Sequence, residues 1–307
     1  MKKIKILCII FIFSIVTTSC FPNASQEKNN PLRIGLMPTM DSVAIATAYE
    51  LGFFEEHHIE VELIPFSSAR DRDAAFQTGN LDGATVDLIA VGLLNEGDFP
   101  IRATSVTTAH FTLIATPQYN DLPSLENGTV IISNNTAIDF VMDHMLDMYG
   151  LEHDHIVREE VPNIPARFEM VRNHQADAAL ISEPFATMAT TEGLTVITDT
   201  IAIDFNPFVL AFSDDAIRYR AEELRNFYLA YNEAVDFLNS NPVEEHLDII
   251  IDLIGFPEAV IDHIELPTFL KSELPSDEIV ELAIQWLITR GLTVDTDLET
   301  FTYDLNN

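Results

Sequence analysis

Along the chain, short apolar runs alternate with stretches whose apolar residues recur at helical spacing, the pattern of βα units around a mainly parallel sheet. "LRIGLM" (32–37) predicts a strand, and "SVAIATAYELGFF" (42–54) a helix carrying Gly52 near its end. A strand at 59–66, a helix at 70–79 closed by Gly79, a short strand at 81–87 running into the helix "LIAVGLLNEG", and a strand at 101–106 complete a first series. After the stretch "TAHFTLIATP" a second series repeats the plan, with strands at 129–133, 156–162 and 176–181 and helices at 137–150, 166–175 and "PFATMATTEG". From Phe212 onward the pattern is helical: one long amphipathic helix over 214–241, then "EEHLDIIIDLIG", "PEAVIDHI" and "DEIVELAIQWLITRG", separated by Pro257, Pro267 and Pro275. These helices are expected to pack back on the first lobe. There is no short internal repeat, only the coarse likeness between the two series.

The first residues add a different signal. "MKKIKILCIIFIFSIVTTSC" has three lysines, an apolar run from Ile6 to Val16, then small hydroxylated residues and Cys20, the layout of an export signal over 1–19. The run is about half the ~20 residues a helix needs to cross a bilayer. Ser19–Cys20 matches a lipoprotein cleavage site, with Thr17 standing where that pattern usually has Leu, so lipidation of Cys20 is set against simple secretion after a nearby cut. Residues 20–31 are polar and aperiodic and predict a flexible tether. With Cys8 inside the signal, Cys20 is the one cysteine of the mature chain, which leaves no internal disulfide and no cysteine-based metal site.

Charge narrows the partners. Sixteen Lys and Arg stand against 49 Asp and Glu, for a formal net charge of −33, and removing Lys2, Lys3 and Lys5 with the signal makes it more negative still. Such a surface disfavours nucleic acid and anionic lipid. With 47% hydrophobic residues the chain is nonetheless globular, and the acid is read as a solvated surface.

"LRIGLMPTMDSVAIATAYELGFFEEHHIEVELIPF", "QTGNLDGATVD" and "NHQADAALISEPFATMATTEG" together resemble the solute-binding proteins of ABC importers, in the NMT1/THI5-like branch that includes receptors for sulfonates, nitrate and thiamine-pyrimidine precursors. The likeness covers about residues 32–240 and lies in the order of its pieces. It implies a two-lobed periplasmic-binding-protein-like α/β fold of the second type, each lobe a mainly parallel sheet flanked by helices. Residues 32–108 plus 205–307 would form lobe 1 with the C-terminal helices, and 109–204 lobe 2. It also implies an exported monomer, lipid-anchored through Cys20, that captures a small polar or anionic organic solute in the interlobe cleft and delivers it to a permease and its ATPase, with no cofactor. A ligand-sensing lipoprotein without transport stays as an alternative. A pyrimidine-synthase-like enzyme, which needs a cysteine-rich segment, fits poorly with a chain whose mature part has only Cys20.

Ligands of such sheets bind beyond the carboxyl ends of the strands, which selects the candidates. Thr39, Asp41 and Ser42 follow the first strand, and Asp41 or Ser42 either caps the next helix or, with its N–H groups, binds a ligand oxygen. Ser67, Arg70 and Arg72 follow the second; the two arginines lie two apart on a helix and cannot share a face, and Arg70 ranks before Arg72. Thr85 and Asp87 end the third strand, as ligand contacts or caps. Asn134, Asn135 and Thr136 open the first helix of the second lobe, where related receptors hold polar ligand atoms. Arg167 stands at another helix start. Glu183, just before Pro184, faces the cleft by the resemblance or caps the helix that follows by its charge. An anionic ligand would use Arg70 and Arg167; a neutral or cationic one would use Asp41, Asp87 or Glu183. No hydrolase, phosphate-loop or zinc-protease motif is present, and the pairs His57–His58 and His153–His155 lack a matching cage for a metal.

Overall fold

The alternation of apolar runs and amphipathic stretches becomes two five-stranded sheets in the computed structural model, which describes residues 30–242, 247–252, 256–257, 260, 263–264, 266–293 and 296–305. The signal, most of the tether and Cys20 lie outside the described residues. Both sheets and their helices belong to one compact unit, Pro31–Asn307.

The first lobe begins with β1 (Leu32–Leu36), α1 (Val43–Glu50), α2 (Phe53–Glu56), β2 (Val61–Pro65), α3 (Ala69–Gln77), β3 (Gly83–Asp87), α4 (Leu88–Glu96) and β4 (Ile101–Val106). The second holds β5 (Thr112–Ala115), β6 (Thr129–Ile132), α5 (Ala137–Met148), β7 (Val157–Glu160), α6 (Ile164–Arg172), β8 (Ala178–Ile181), α7 (Phe185–Thr191) and β9 (Thr195–Asp199). The chain then returns through β10 (Phe208–Ser213) to α8 (Asp214–Tyr219), α9 (Ala221–Ser240), α10 (Leu247–Asp252), α11 (Asp277–Thr289) and α12 (Leu298–Phe301).

Strand order is β2-β1-β3-β10-β4 in one sheet and β7-β6-β8-β5-β9 in the other. Each is parallel except for the strand that enters from the other lobe: β10 runs antiparallel between β3 and β4, and β5 antiparallel between β8 and β9. The chain therefore crosses between the sheets twice, at 107–111 and 200–207. Central strands covered on both faces read as unbroken apolar runs, and β3, β5 and β8 are buried at every position.

Three differences from the sequence-based elements have local causes. The sequence pattern predicts no strand at β5, β9 or β10, because their apolar runs of four to six residues lack a period that separates strand from helix. The first helix is two, since Gly52 takes φ of +78°, where a left-handed turn ends α1 and starts α2. The long helix at 214–241 breaks at Arg220, which leaves helical geometry while its guanidinium hydrogen-bonds Glu223, Asp82 and the Pro31 carbonyl.

The C-terminal helices pack on the first lobe as expected: α9 against α1 and α2, α11 against α4. Phe227 of α9 stacks on Phe54 at 5.0 Å and meets Phe212 edge-on at 5.6 Å. At α4, Gly92 makes the close approach possible, because a Cβ there would lie 2.3 Å from the Leu287 side chain and 2.9 Å from Phe301.

One helix also reaches the other lobe. Trp286 of α11 donates its indole N–H to Asp143 Oδ2 of α5 at 2.7 Å, and Arg290 forks onto Asp139 and Asp143. Arg158 of β7 holds the same two buried carboxylates from within the second lobe. Burial alone would raise the pKa of Asp143, yet Arg158, Arg290 and the indole N–H together hold it below the ordinary carboxylate value. We refer to this arrangement as the clasp.

Candidate functional site

The carboxyl ends of the two sheets face one another across a cavity of about 60 Å³. That is room for roughly five waters at about 10–15 Å³ each. Its first-lobe wall comes from the segment after β1 (Met37, Thr39, Asp41), from α3 (Arg72) and from the end of β3 (Thr85, Asp87). The second-lobe wall comes from the loop after β6 (Ser133, Thr136), from α6 (Arg167) and from Ser182 after β8. His110 and Phe111 of the first crossover and Phe208 beside the second close the back, the two rings edge-to-face at 4.9 Å.

Helix starts position most of these groups. Asp87 caps α4, accepting from Ala90 N at 2.9 Å; Thr136 caps α5, accepting from Ile138 N at 3.3 Å. Arg167 sits in the first turn of α6, whose cap is Asn163. The caps satisfy their helices and at the same time bring polar side chains to the rim of the cavity.

Two guanidiniums are buried here, each 3% exposed. Arg72 donates from Nε to Asp73 Oδ1 at 2.9 Å and from Nη1 to the Thr85 carbonyl at 3.1 Å. Its Nη2 is 2.8 Å from Asp73 Oδ1 but at an angle that excludes a hydrogen bond, so that nitrogen has no partner. Burial pulls the Arg72 pKa down, and the carboxylates of Asp73, Asp87 and Asp41 more than offset it, so the net shift is upward. Arg167 differs. It donates to three backbone carbonyls, Val161 and Pro162 at 2.9 Å and Leu180 at 3.3 Å, and among the described residues it forms no ion pair. Burial lowers its pKa to about 10, which leaves it charged at neutral pH.

The acids are perturbed the opposite way. Burial raises Asp41 from 3.8 to about 6, against the hydrogen bond from Thr39 Oγ1 and the charge of Arg72. Asp87 is raised by burial too, with Arg72 opposing. Neither forms an ion pair among the described residues, although both line the cavity.

Eight buried side-chain nitrogens or oxygens lack a partner in the protein among the described residues, and four of them line this one cavity: Arg72 Nη2, Thr85 Oγ1, His110 Nδ1 and Ser182 Oγ. An orphaned polar group costs about 1–3 kcal/mol, so their concentration at one place marks where an outside partner completes them. The guanidinium nitrogen can only donate, the hydroxyls can donate, and an acceptor-rich occupant fits them best.

Of the sequence-based candidates the structure brings Thr39, Asp41, Thr85, Asp87, Thr136 and Arg167 together. Six others do not line the cavity. Ser42 is fully buried in the 3-10 turn Met40–Ser42, and Ser67 is exposed. Arg70 points outward and pairs with Glu160 of the other lobe at 2.8 Å, so the ranking of Arg70 before Arg72 is reversed. Asn134 is exposed and donates to the same Glu160 at 2.9 Å; Asn135 sits at φ +56° with its N–H on Asp139. Glu183 accepts from Thr187 N at 3.0 Å, the capping alternative, and borders a separate, open depression. Arg72, His110, Ser133 and Ser182 are the site groups the sequence ranked low or passed over. Phe76 lies four residues after Arg72 and is buried with it on one face of α3, a periodicity that favours Arg72 over Arg70.

The histidine pairs have ordinary partners: His57 meets Glu233 at 3.2 Å, His153 meets Asp147 at 3.0 Å, and His155 meets the Pro123 carbonyl at 3.1 Å. Among the described residues no three His, Cys, Asp or Glu side chains group to hold a metal ion, and no helix is long and apolar enough to cross a membrane.

Comparison with known proteins agrees with the topology. The sequence model of the NMT1/THI5-like family matches residues 39–245. A Brachyspira hyodysenteriae protein, described as an ABC transporter periplasmic binding protein, is 18% identical over 265 residues, covering 78% of this chain and 76% of that protein. The periplasmic aliphatic sulphonate binding protein SsuA of Escherichia coli superposes with a TM-score of 0.75 at 16% identity, over 89% of this chain and 92% of its own. The periplasmic nitrate-binding protein NrtA of Synechocystis PCC 6803 does so with 0.72 at 15%, over 88% and 83%. These likenesses establish the two-lobed periplasmic-binding-protein fold.

Proposed function

We propose, from the premise that this chain belongs to the NMT1/THI5-like family, that it is an extracytoplasmic solute-binding lipoprotein of an ABC importer which captures a small anionic organic solute between its lobes. It performs no chemistry and passes the solute to a permease. The observation that carries the reading is the buried Arg167, charged and without an acid partner among the described residues, in the cavity where four buried polar atoms lack partners. An oxyanion there accepts from donors supplied by both lobes, and a ligand that touches both walls favours the closed arrangement by its differential affinity. The sulphonate and nitrate receptors that share the fold support an oxyanion in particular. Ser19–Cys20 and the polar tether support the lipid anchor.

A panel of small oxyanions tested by thermal shift, then by calorimetric titration, identifies the ligand, since a ligand at a hundredfold excess over Kd stabilises by about 2.7 kcal/mol. A charge-assisted hydrogen bond contributes about 1.5–3 kcal/mol, so Arg167→Gln weakens binding roughly ten- to over a hundredfold. Unchanged affinity in a folded Arg167→Gln protein contradicts an anion at this site. Cys20→Ala releases the protein from membranes to the soluble fraction; continued membrane association of that variant contradicts the lipid anchor.

A further inference from the structure

The charges around the cavity are divided by lobe. On the first-lobe side Arg72 stands among three carboxylates, Asp41, Asp73 and Asp87, and its ion pair is with Asp73. Asp41 and Asp87 are therefore left in excess, 6% and 5% exposed and without an ion-pair partner among the described residues. On the second-lobe side the charge is Arg167, held by backbone carbonyls alone. One wall is thus negative and the other positive, in a space of about 60 Å³.

Each simple class of occupant leaves part of this uncompensated. An anion at Arg167 faces two carboxylates across a gap only a few waters wide; a cation answers the carboxylates and leaves Arg167 buried and unpaired; a neutral solute answers neither. Buried charges are tolerated when paired. Resting on the reading of this cavity as an anion site, we infer that the solute is a compact zwitterion, its oxyanion at Arg167 and its cationic nitrogen against Asp41 and Asp87. Asp87 accepts from the Ala90 and Ala137 N–H groups, and Asp41 from the Thr39 hydroxyl and the Asp41 and Ser42 N–H groups, so each falls short of the roughly four lone-pair sites a carboxylate offers. Thr85 Oγ1 and Ser182 Oγ, both unpartnered, supply further hydrogen bonds from the two walls. The Phe111 and Phe208 rings at the back suit the short apolar link between the charges.

The test is calorimetric titration of the purified protein with 2-aminoethanesulfonate, 3-aminopropanesulfonate and 3-aminopropanoate, each beside its amine-free and anion-free counterparts. At least one zwitterion should bind tenfold or more tightly than both counterparts. Asp87→Asn, and independently Asp41→Asn, should shrink its advantage over the amine-free anion to less than threefold without weakening that anion. The comparison of ligands on the unsubstituted protein stands even if a variant folds poorly. An amine-free anion binding as tightly as every zwitterion, and lost in Arg167→Gln, overturns the zwitterion and leaves the anion site intact. An amine binding as tightly as the zwitterions, with Arg167→Gln without effect, overturns both. Failure of all the zwitterions to bind overturns the inference.

Discussion

Asp41 is a carboxylic acid that folding removes from water, and its titration should be visible in stability. Its pKa rises from 3.8 to about 6, with burial the first cause. Between those values the folded protein holds a proton that the unfolded chain has released. The contribution of this group to stability is therefore complete below pH 3.8 and lost as pH climbs through about 6. The shift corresponds to on the order of 3 kcal/mol. Asp41→Asn abolishes that loss, so calorimetric unfolding of the variant should gain on the parent steadily from about pH 4 to pH 7. A difference that stays constant over that range would show that Asp41 titrates as an ordinary surface acid. At the same scale Arg70→Ala, which breaks an exposed pair with Glu160, should leave ligand affinity within about fivefold, since exposed pairs contribute about 0–1 kcal/mol. The sequence places both residues correctly just after strands, Asp41 in the turn that follows β1 and Arg70 in the first turn of the helix that follows β2. Which arginine of α3 turned inward depended on the helix face, and Phe76 held that information while loop position did not. His110 and Ser182 were illegible for another reason: their role comes from the crossover and from the meeting of two lobes, which no local pattern encodes.

Among the elements, those with a long period were read most readily. α5 and α11 present continuous amphipathic faces, with Thr136 and Ser276 as N-caps. The strands entering each sheet from the other lobe were the hardest to read, because a four-residue run such as "TLIA" is equally a piece of buried helix until its neighbours are known. The packing of α4 against α11 and α12 shows how much a single small residue matters. Gly92→Ala inserts a methyl 2.3 Å from Leu287, and overpacking of this kind costs about 1–3 kcal/mol. The unfolding temperature should fall by several degrees, read by circular dichroism. Leu287→Ala is itself destabilising by about 2–5 kcal/mol because Leu287 is fully buried, but it removes the nearest clashing atom, so the double variant should lose less than the sum of the two single losses. No loss on Gly92→Ala would mean that α11 is not seated as described.

For the molecule as a whole, the clasp joins the two lobes, which also meet at the cavity and at the exposed Arg70–Glu160 pair. Removing the Arg290 side chain leaves Asp139 and Asp143 with Arg158 as their one guanidinium, Asp143 keeping in addition the Trp286 indole N–H and its contact with His153. Arg290→Ala should widen the solute-free protein in small-angle scattering and weaken solute binding three- to tenfold, while titration of Cys20→Ala protein, whose change lies outside the described residues, stays normal. Unaltered scattering and affinity would mean that the clasp is ornamental to closure. If it does help hold the lobes together, it acts whether or not a solute is present. A receptor so built begins with part of the closing work already done, which raises its sensitivity to a scarce solute. The same head start blurs the difference between a loaded and an empty molecule. An importer that recognises only the shut shape would then spend ATP on empty deliveries, so the strength of the clasp sets a compromise between scavenging and waste.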